Sequence, residues 1–405
     1  MGQTILLIGT LDTKGDEFAF ARDLIEERGH TPVLLDVGVL GGPSIEPDHT
    51  AYDVAQAAGT SLDALREAGD RGAAMDAMTE GATALAHDLL QENGVDAVLG
   101  LGGSGNTAVA TGVMRALPVG LPKVMVSTMA SGDTEPYVGA KDITMMYSVV
   151  DIAGLNRISR QIIGNAVGAV CGMAEQTVPT GEDRPLVAAS MFGVTTPCVT
   201  AVRGHLEEAG YEVVTFHATG SGGRAMEGLI EDGFIAGVAD ITTTEWCDEL
   251  MGGVLSAGPT RLDAAAQTGT PQVVSVGALD MVNFGPMDTV PEPFQDRTLY
   301  KHNAQVTLMR TTPEENAELG RIIAEKLNAA TGPTVLMLPL RGVSMIDADD
   351  QPFHDPEADA ALFDALRTHI DSDSVQLVEV DAHINDEAFA EAFAQRFIKL
   401  LEASA

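Results

Sequence analysis

Positive charge is what this 405-residue sequence has least of. Lys and Arg number 23 against 59 Asp and Glu, a formal charge of −36, and only six of the cations are Lys. A surface this acidic repels phosphodiester backbones and anionic lipid, which argues against nucleic-acid and membrane-surface partners. It suits a hydrated, self-repelling protein of a salty cytoplasm, so a halophilic character is expected. Cysteine is rare as well. Cys171, Cys198 and Cys247 are too few and too scattered for a disulfide framework or a zinc site, which fits a reducing cytosol. Aromatics make up 4% of the chain, and its single Trp and five Tyr form no ladder on which single-stranded bases could stack. Long apolar runs are missing too. The stretch 162–174 is interrupted by Asn165 and is too short to span a bilayer. The N-terminal run 5–8 is short and has no basic flank, so it does not read as a secretory signal. Leu6 stands where N-myristoylation needs Ser or Thr. A soluble cytoplasmic protein is expected.

What is present is an alternation of β-rich apolar runs with amphipathic helical patterns, the signature of parallel sheets with helices on both faces. Strands are expected at 4–8, 33–36, 97–101 and 123–127. Helices are expected at 17–27, 61–68, 73–92, 107–116 and 155–173. A polar Gly/Pro stretch at 181–185 divides the chain into 1–182 and 183–405. The second part then repeats the first. Gly9, a helix, Gly29, a strand and Asp36 are echoed by Gly193, a helix, Gly210, a strand and His217, and two further strand-and-turn units follow in the same order. The expected fold is α/β, with two doubly wound Rossmann-like lobes facing a central cleft and ligands outside the carboxyl ends of their strands.

Three loops of the first lobe could carry chemistry. Gly100-Leu101-Gly102-Gly103-Ser104-Gly105-Asn106-Thr107 lies between a strand and a helix, where small residues admit a ligand and free N–H groups attract an anion. It matches GxGxxG only formally: it sits on a later strand, no acid follows at the required spacing, and NAD is weakly supported. Gly9-Thr10-Leu11-Asp12-Thr13-Lys14-Gly15 ends the first strand and offers hydroxyls, a carboxylate and one of the few lysines. Ser127-Thr128-Met129-Ala130-Ser131-Gly132-Asp133 adds hydroxyls and a carboxylate, Asp133, able to hold Mg²⁺ through water.

The second lobe has its own polar set. His217 and Asp240 end strands and are candidate general bases. Gly220, Ser221, Gly222, Gly223 and Arg224 form another Gly-rich turn suited to an anionic substrate. Glu245, Asp280, Asn283, His302, Asn303 and Arg341 supply further polar groups. The diagnostic spacings of zinc hydrolases and serine hydrolases are missing.

As a set, these motifs resemble the two-lobed ATP-binding domain family of the tomato mosaic virus resistance protein and its bacterial and archaeal relatives. The resemblance covers essentially the whole chain, including 217–224 and 339–344. It implies ATP with Mg²⁺ in the first lobe. The implied ligands are Gly9, Thr10, Asp12, Thr13, Lys14, Asp36, Gly102, Gly103, Ser104, Gly105, Asn106, Thr107, Ser127, Thr128, Ala130 and Ser131, with Asp133 on the metal. The plant member's antiviral role is not expected to carry over. Two functional classes stay open. One is an ATP-dependent enzyme transferring a phosphoryl or nucleotidyl group to an unidentified small molecule across the cleft; the other is a nucleotide-binding regulatory or scaffold protein without turnover. A homodimer is the expected assembly.

Overall fold

A computed structural model describes residues 2–177, 181 and 184–404. The chain divides into two compact units, Met1–Pro179 and Thr180–Ala405. Part of the Gly/Pro stretch at 181–185, residues 182 and 183, lies outside the described residues.

The first unit is built on a five-stranded parallel sheet in the order β2-β1-β3-β4-β5. Its strands are β1 (Thr4–Gly9), β2 (Thr31–Asp36), β3 (Ala97–Gly102), β4 (Lys123–Ser127) and β5 (Ile143–Tyr147). β1 is apolar on both faces because both are covered, as parallel sheets require. Leu6 and Ile8 pack with the helices Ala51–Ala57, Arg71–Asn93 and Ser104–Ala116. Ile5 and Leu7 pack on the other side with Phe18 and Ile25 of the Leu11–Glu27 helix and Val167 of the Arg157–Glu175 helix. Gly9 ends β1 without a side chain because Phe18 fills that space; a Cβ there would stand 2.0 Å from the ring.

The second unit contains a six-stranded parallel sheet in the order β14-β13-β9-β8-β6-β7. Here β6 is Leu186–Met191, β7 Glu212–His217, β8 Gly237–Thr242 and β9 Gln272–Gly277. A small antiparallel sheet of β10 (Met281–Phe284), β11 (Leu299–Lys301) and β12 (Thr307–Arg310) follows, and β13 (Thr334–Pro339) and β14 (Val375–Val380) complete the large sheet. Taken from β7 to β13, the strand order repeats that of the first sheet from β2 to β5. Asp36 pairs with Gly9 at the end of β1, and His217 pairs with Met191 at the end of β6, so the echoed residues hold equivalent places.

Strand β5 and the helix Ala51–Ala57 are not among the expected elements, and other differences lie at boundaries and in an insertion. The first helix begins at Leu11, not 17, and takes Asp12, Thr13 and Lys14 into its first turns with a non-helical kink at Lys14. No side chain caps that helix, so the usual sequence marker of a start is missing. Among the described residues, the antiparallel sheet at 281–310 has no counterpart in the first unit, and it is not among the expected elements. Among the described residues, no helix is long and apolar enough to cross a membrane.

Candidate functional site

Sheet order fixes where a ligand can enter. In the first sheet the connections diverge between β1 and β3, and such a switch point opens a crevice at the carboxyl ends of the strands. A cavity of about 820 Å³ lies there, lined by the loop after β1 and the turn after β3. It brings together Thr10, Asp12, Thr13, Lys14, Gly103, Ser104, Gly105 and Asn106 from two of the expected loops.

The turn after β3 presents open amides. The Ser104–Ala116 helix has Gly103 as its N-cap, with no side-chain cap, and among the described residues the amides of Ser104, Gly105 and Asn106 have no acceptor. Asn106 holds the turn in place by donating from Nδ2 to the carbonyls of Leu101 and Ile8 at 2.7 and 3.3 Å. Its Oδ1 is buried without a partner, on a residue 5% exposed that lines the cavity.

Two arginines that the sequence reading missed border the same space. Arg71 starts the Arg71–Asn93 helix and lines the cavity; a Cβ on Gly105 would stand 3.2 Å from its Nη2. Among the described residues no hydrogen bond or ion pair engages its guanidinium. Arg66, by contrast, is committed: it donates to the carbonyls of Val39 and Gly41 at 2.6 and 2.9 Å and meets the Tyr52 hydroxyl at 3.3 Å. The sequence signal for both was the scarcity of cations, the argument already applied to Lys14.

Asp12 braces the opposite wall. Its Oδ2 accepts from the amides of Leu40 and Gly41 at 2.9 and 3.0 Å, while its buried Oδ1 has no partner. Thr10 and Thr13 join their hydroxyls at 3.0 Å. The Lys14 ammonium donates to the Ile152 carbonyl. Asp36 lies one chamber away, in an adjoining cavity of about 500 Å³. Its Oδ1 accepts from Leu11 and Gly38, and burial raises its pKa, opposed by those amides.

The other expected nucleotide ligands stand outside this cavity lining. Gly9 backs onto Phe18, and a Cβ on Gly102 would stand 2.6 Å from Asn106 Cβ. Thr107 and Ser127 share a hydroxyl contact of 2.7 Å inside the fold. Thr128 lies beside Gly103. Ala130, Ser131 and Asp133 lie on the loop after β4, where Asp133 accepts from the Glu135 amide at 3.1 Å.

In the second unit the Gly-rich turn after β7 is filled by the protein itself. Glu245 Oε1 accepts from the amides of Gly220 and Gly223 at 2.7 and 3.1 Å, and a Cβ on Gly223 would stand 2.3 Å from the carboxylate. A Cβ on Gly222 would stand 1.9 Å from the His217 carbonyl, and Arg224 donates to the Ser256 carbonyl at 3.1 Å. In the turn expected to take substrate, at Gly220, Ser221, Gly222 and Gly223, the internal carboxylate of Glu245 thus sits on two of the amides. Asp240, the other expected base, is likewise engaged. Both its oxygens are held by the buried Arg261 at 2.6 and 2.7 Å, and Ser190 donates to it as well. A carboxylate so paired is anchored in place.

The remaining candidates are dispersed. His217 is exposed at the end of edge strand β7, with its ring 5.7 Å from that of Phe192. Asp280 is buried and accepts from the Ser344 hydroxyl at 2.7 Å, and burial raises its pKa against the pull of Arg310. Asn283 donates from Nδ2 to Asp248 at 2.8 Å. His302 and Asn303 are exposed on the β11–β12 turn, and Arg341 pairs with Asp381 at 2.7 Å on the surface.

Fold and cavity together define a two-unit, doubly wound α/β protein with a ligand-sized cavity at the switch point of its first sheet. Residues 3–179 match the N-terminal domain, and residues 184–401 the C-terminal domain, of the family described as "Uncharacterised protein family (UPF0261)". The chain belongs to that family. It is 54% identical over 403 residues to a UPF0261 protein of Clostridium tetani, covering 99% of this chain and 100% of the relative. A Rhizobium meliloti member is 50% identical over 96% of each chain. The tomato ToMV resistance protein Tm-1 is 46% identical over 316 residues, which are 76% of this chain and 42% of the tomato protein.

Proposed function

We propose that the first unit binds ATP as its Mg²⁺ complex in the cavity between β1 and β3. The observation that carries this reading is the open N-terminus of the Ser104–Ala116 helix facing the cavity together with the unpaired Arg71 guanidinium. In a chain of charge −36, an arginine left unpaired beside three open amides is a site for an anion. The buried, unpartnered Asn106 Oδ1 is a second sign that a group is to be supplied there. Lys14 adds a cation that its backbone acceptor can release. For the metal, the residue that fits is Asp12, whose buried Oδ1 has no partner and which lines the cavity, in preference to Asp133 outside it. When bound, Mg²⁺ would neutralise phosphate charge beside this carboxylate.

Of the two functional forms, binding without turnover is favoured by the filled turn at 220–223 and by the engagement of Asp240. The enzymatic form, transfer to a small molecule, rests on His217 alone. A thermal-shift comparison of ATP-Mg²⁺, ADP and NAD tests the binding. A ligand at about 100 times its dissociation constant stabilises the fold by about 2.7 kcal/mol. No shift with ATP, or a larger one with NAD, sinks the proposal.

A further inference from the structure

Asp36 is a buried carboxylate with one oxygen held and the other left open. It ends β2 opposite Gly9 and is 1% exposed. Its Oδ1 accepts from the amides of Leu11 and Gly38 at 3.0 and 2.9 Å, and two such bonds fix how the group points. Its Oδ2 accepts from no group among the described residues, yet it is not sealed from solvent. That oxygen gives onto the cavity of about 500 Å³ that Asp36 lines, and among the described residues Asp36 is the only carboxylate in that lining. Leaving a buried carboxylate oxygen without a donor is costly, and a ligand hydroxyl is a group that satisfies it.

This cavity is close to the one assigned to the phosphates. The two share Leu40 and Arg66. Asp12 lines the larger cavity and is a neighbour of Asp36: a Cβ on Gly38 would stand 2.7 Å from Asp12 Oδ1 and 3.0 Å from Asp36 Oδ1. An ionised phosphate chain offers acceptors and no donors, so a carboxylate cannot be satisfied by it. The sugar is bonded directly to the phosphates, with the base beyond it. The first donors that a nucleotide brings past its phosphates are therefore the ribose hydroxyls.

We infer that Asp36 Oδ2 accepts a hydrogen bond from a ribose hydroxyl of the bound nucleotide, so that the site favours ribonucleotides over deoxyribonucleotides. This rests on the nucleotide reading above and adds its sugar specificity. An analogue that lacks the hydroxyl leaves the buried carboxylate unpaired, which is how a polar site rejects it.

The test is calorimetric titration of the full chain, in Mg²⁺ and fixed high salt, with ATP, 2′-deoxyATP, 3′-deoxyATP and inosine triphosphate. The last keeps the ribose and lacks the adenine amino group. At least one deoxy analogue is expected to bind at least about tenfold more weakly than ATP, the lower end of what a hydrogen bond to a charged group is worth. Inosine triphosphate is expected to bind as ATP does. Asp36→Asn keeps an oxygen for the Leu11 and Gly38 amides; in it the gap between ATP and that analogue is expected to close, with tripolyphosphate binding unchanged. Two deoxy analogues that both bind within that tenfold overturn the inference while the nucleotide reading stands. So does a gap that persists in Asp36→Asn, a loss of tripolyphosphate binding in that variant, or a loss confined to inosine triphosphate, which would put the base on Asp36. The comparison on the unaltered protein decides the point even where Asp36→Asn does not fold. Failure of every nucleotide to bind overturns both readings.

Discussion

Arg261 Nε donates to Glu245 Oε2 at 2.8 Å, while the other oxygen of that carboxylate accepts from the amides of Gly220 and Gly223. The same guanidinium reaches Asp240 and, at 3.0 Å, Glu227, so one buried cation ties β8 to the helices that follow β7 and β8. Burial disfavours a charged Glu227 and raises its pKa, which Arg261 opposes. What resembles a second anion site is in effect a structural joint.

That joint gives the first prediction. Removing one partner of a buried pair typically costs about 3–5 kcal/mol, because the other charge is left uncompensated. Glu245→Ala is expected to lower the stability of the second unit by that order, measured by urea unfolding, with ATP affinity unchanged while the protein is folded. An unmoved urea midpoint would mean that Asp240 and Glu227 satisfy Arg261 without it.

A second prediction concerns the nucleotide site. Hydrogen bonds to charged groups contribute about 1.5–3 kcal/mol, which is roughly 10–150-fold in affinity. Arg71→Ala is expected to weaken ATP-Mg²⁺ binding within that range and Lys14→Ala to weaken it less, since Lys14 must leave the Ile152 carbonyl. His217→Ala should leave binding unchanged. Equal loss in all three, read by calorimetry, would place His217 in the nucleotide site or in the fold.

Asp248 supplies a pH dependence. Burial pushes its pKa from 3.8 up to about 7, against the lowering effect of Asn283 and the Leu255 amide. The native state therefore holds a proton that the unfolded chain releases above about pH 4. The stability this proton contributes is fully present below that pH and is lost as pH rises to about 7, at about 1.4 kcal/mol per pH unit. Turning the Asn283 amide over would let a protonated Asp248 donate to Asn283 Oδ1, which now has no partner. Asp248→Asn is expected to flatten the slope of unfolding free energy between pH 4 and 7. An unchanged slope would assign the proton to another buried carboxylate.

Salt should act on the whole molecule. A charge of −36 repels itself when unscreened, and the screening length falls from about 30 Å at 0.01 M to about 3 Å at 1 M salt. The unfolding temperature is expected to be clearly higher in molar KCl than at low salt. A flat or falling curve would show that self-repulsion does not limit stability.

Local sequence was enough for some of this protein. The unbroken apolar run of β1, the repeat of strands and turns, and the small residues between β3 and its helix are all local features. They place the fold class and one wall of the cavity because periodicity and backbone freedom act over a few residues. Which Gly-rich turn stays open was decided by tertiary structure. Gly103–Asn106 and Gly220–Gly223 look alike in sequence, yet Glu245, 25 positions beyond Gly220, fills the second while no side chain caps the first. Arg71 reaches Gly105 only because the helices that they begin stand side by side over the same face of the sheet. Burial and charge pairing join residues far apart in the chain, so their outcome depends on which elements pack together, and neither composition nor spacing records that.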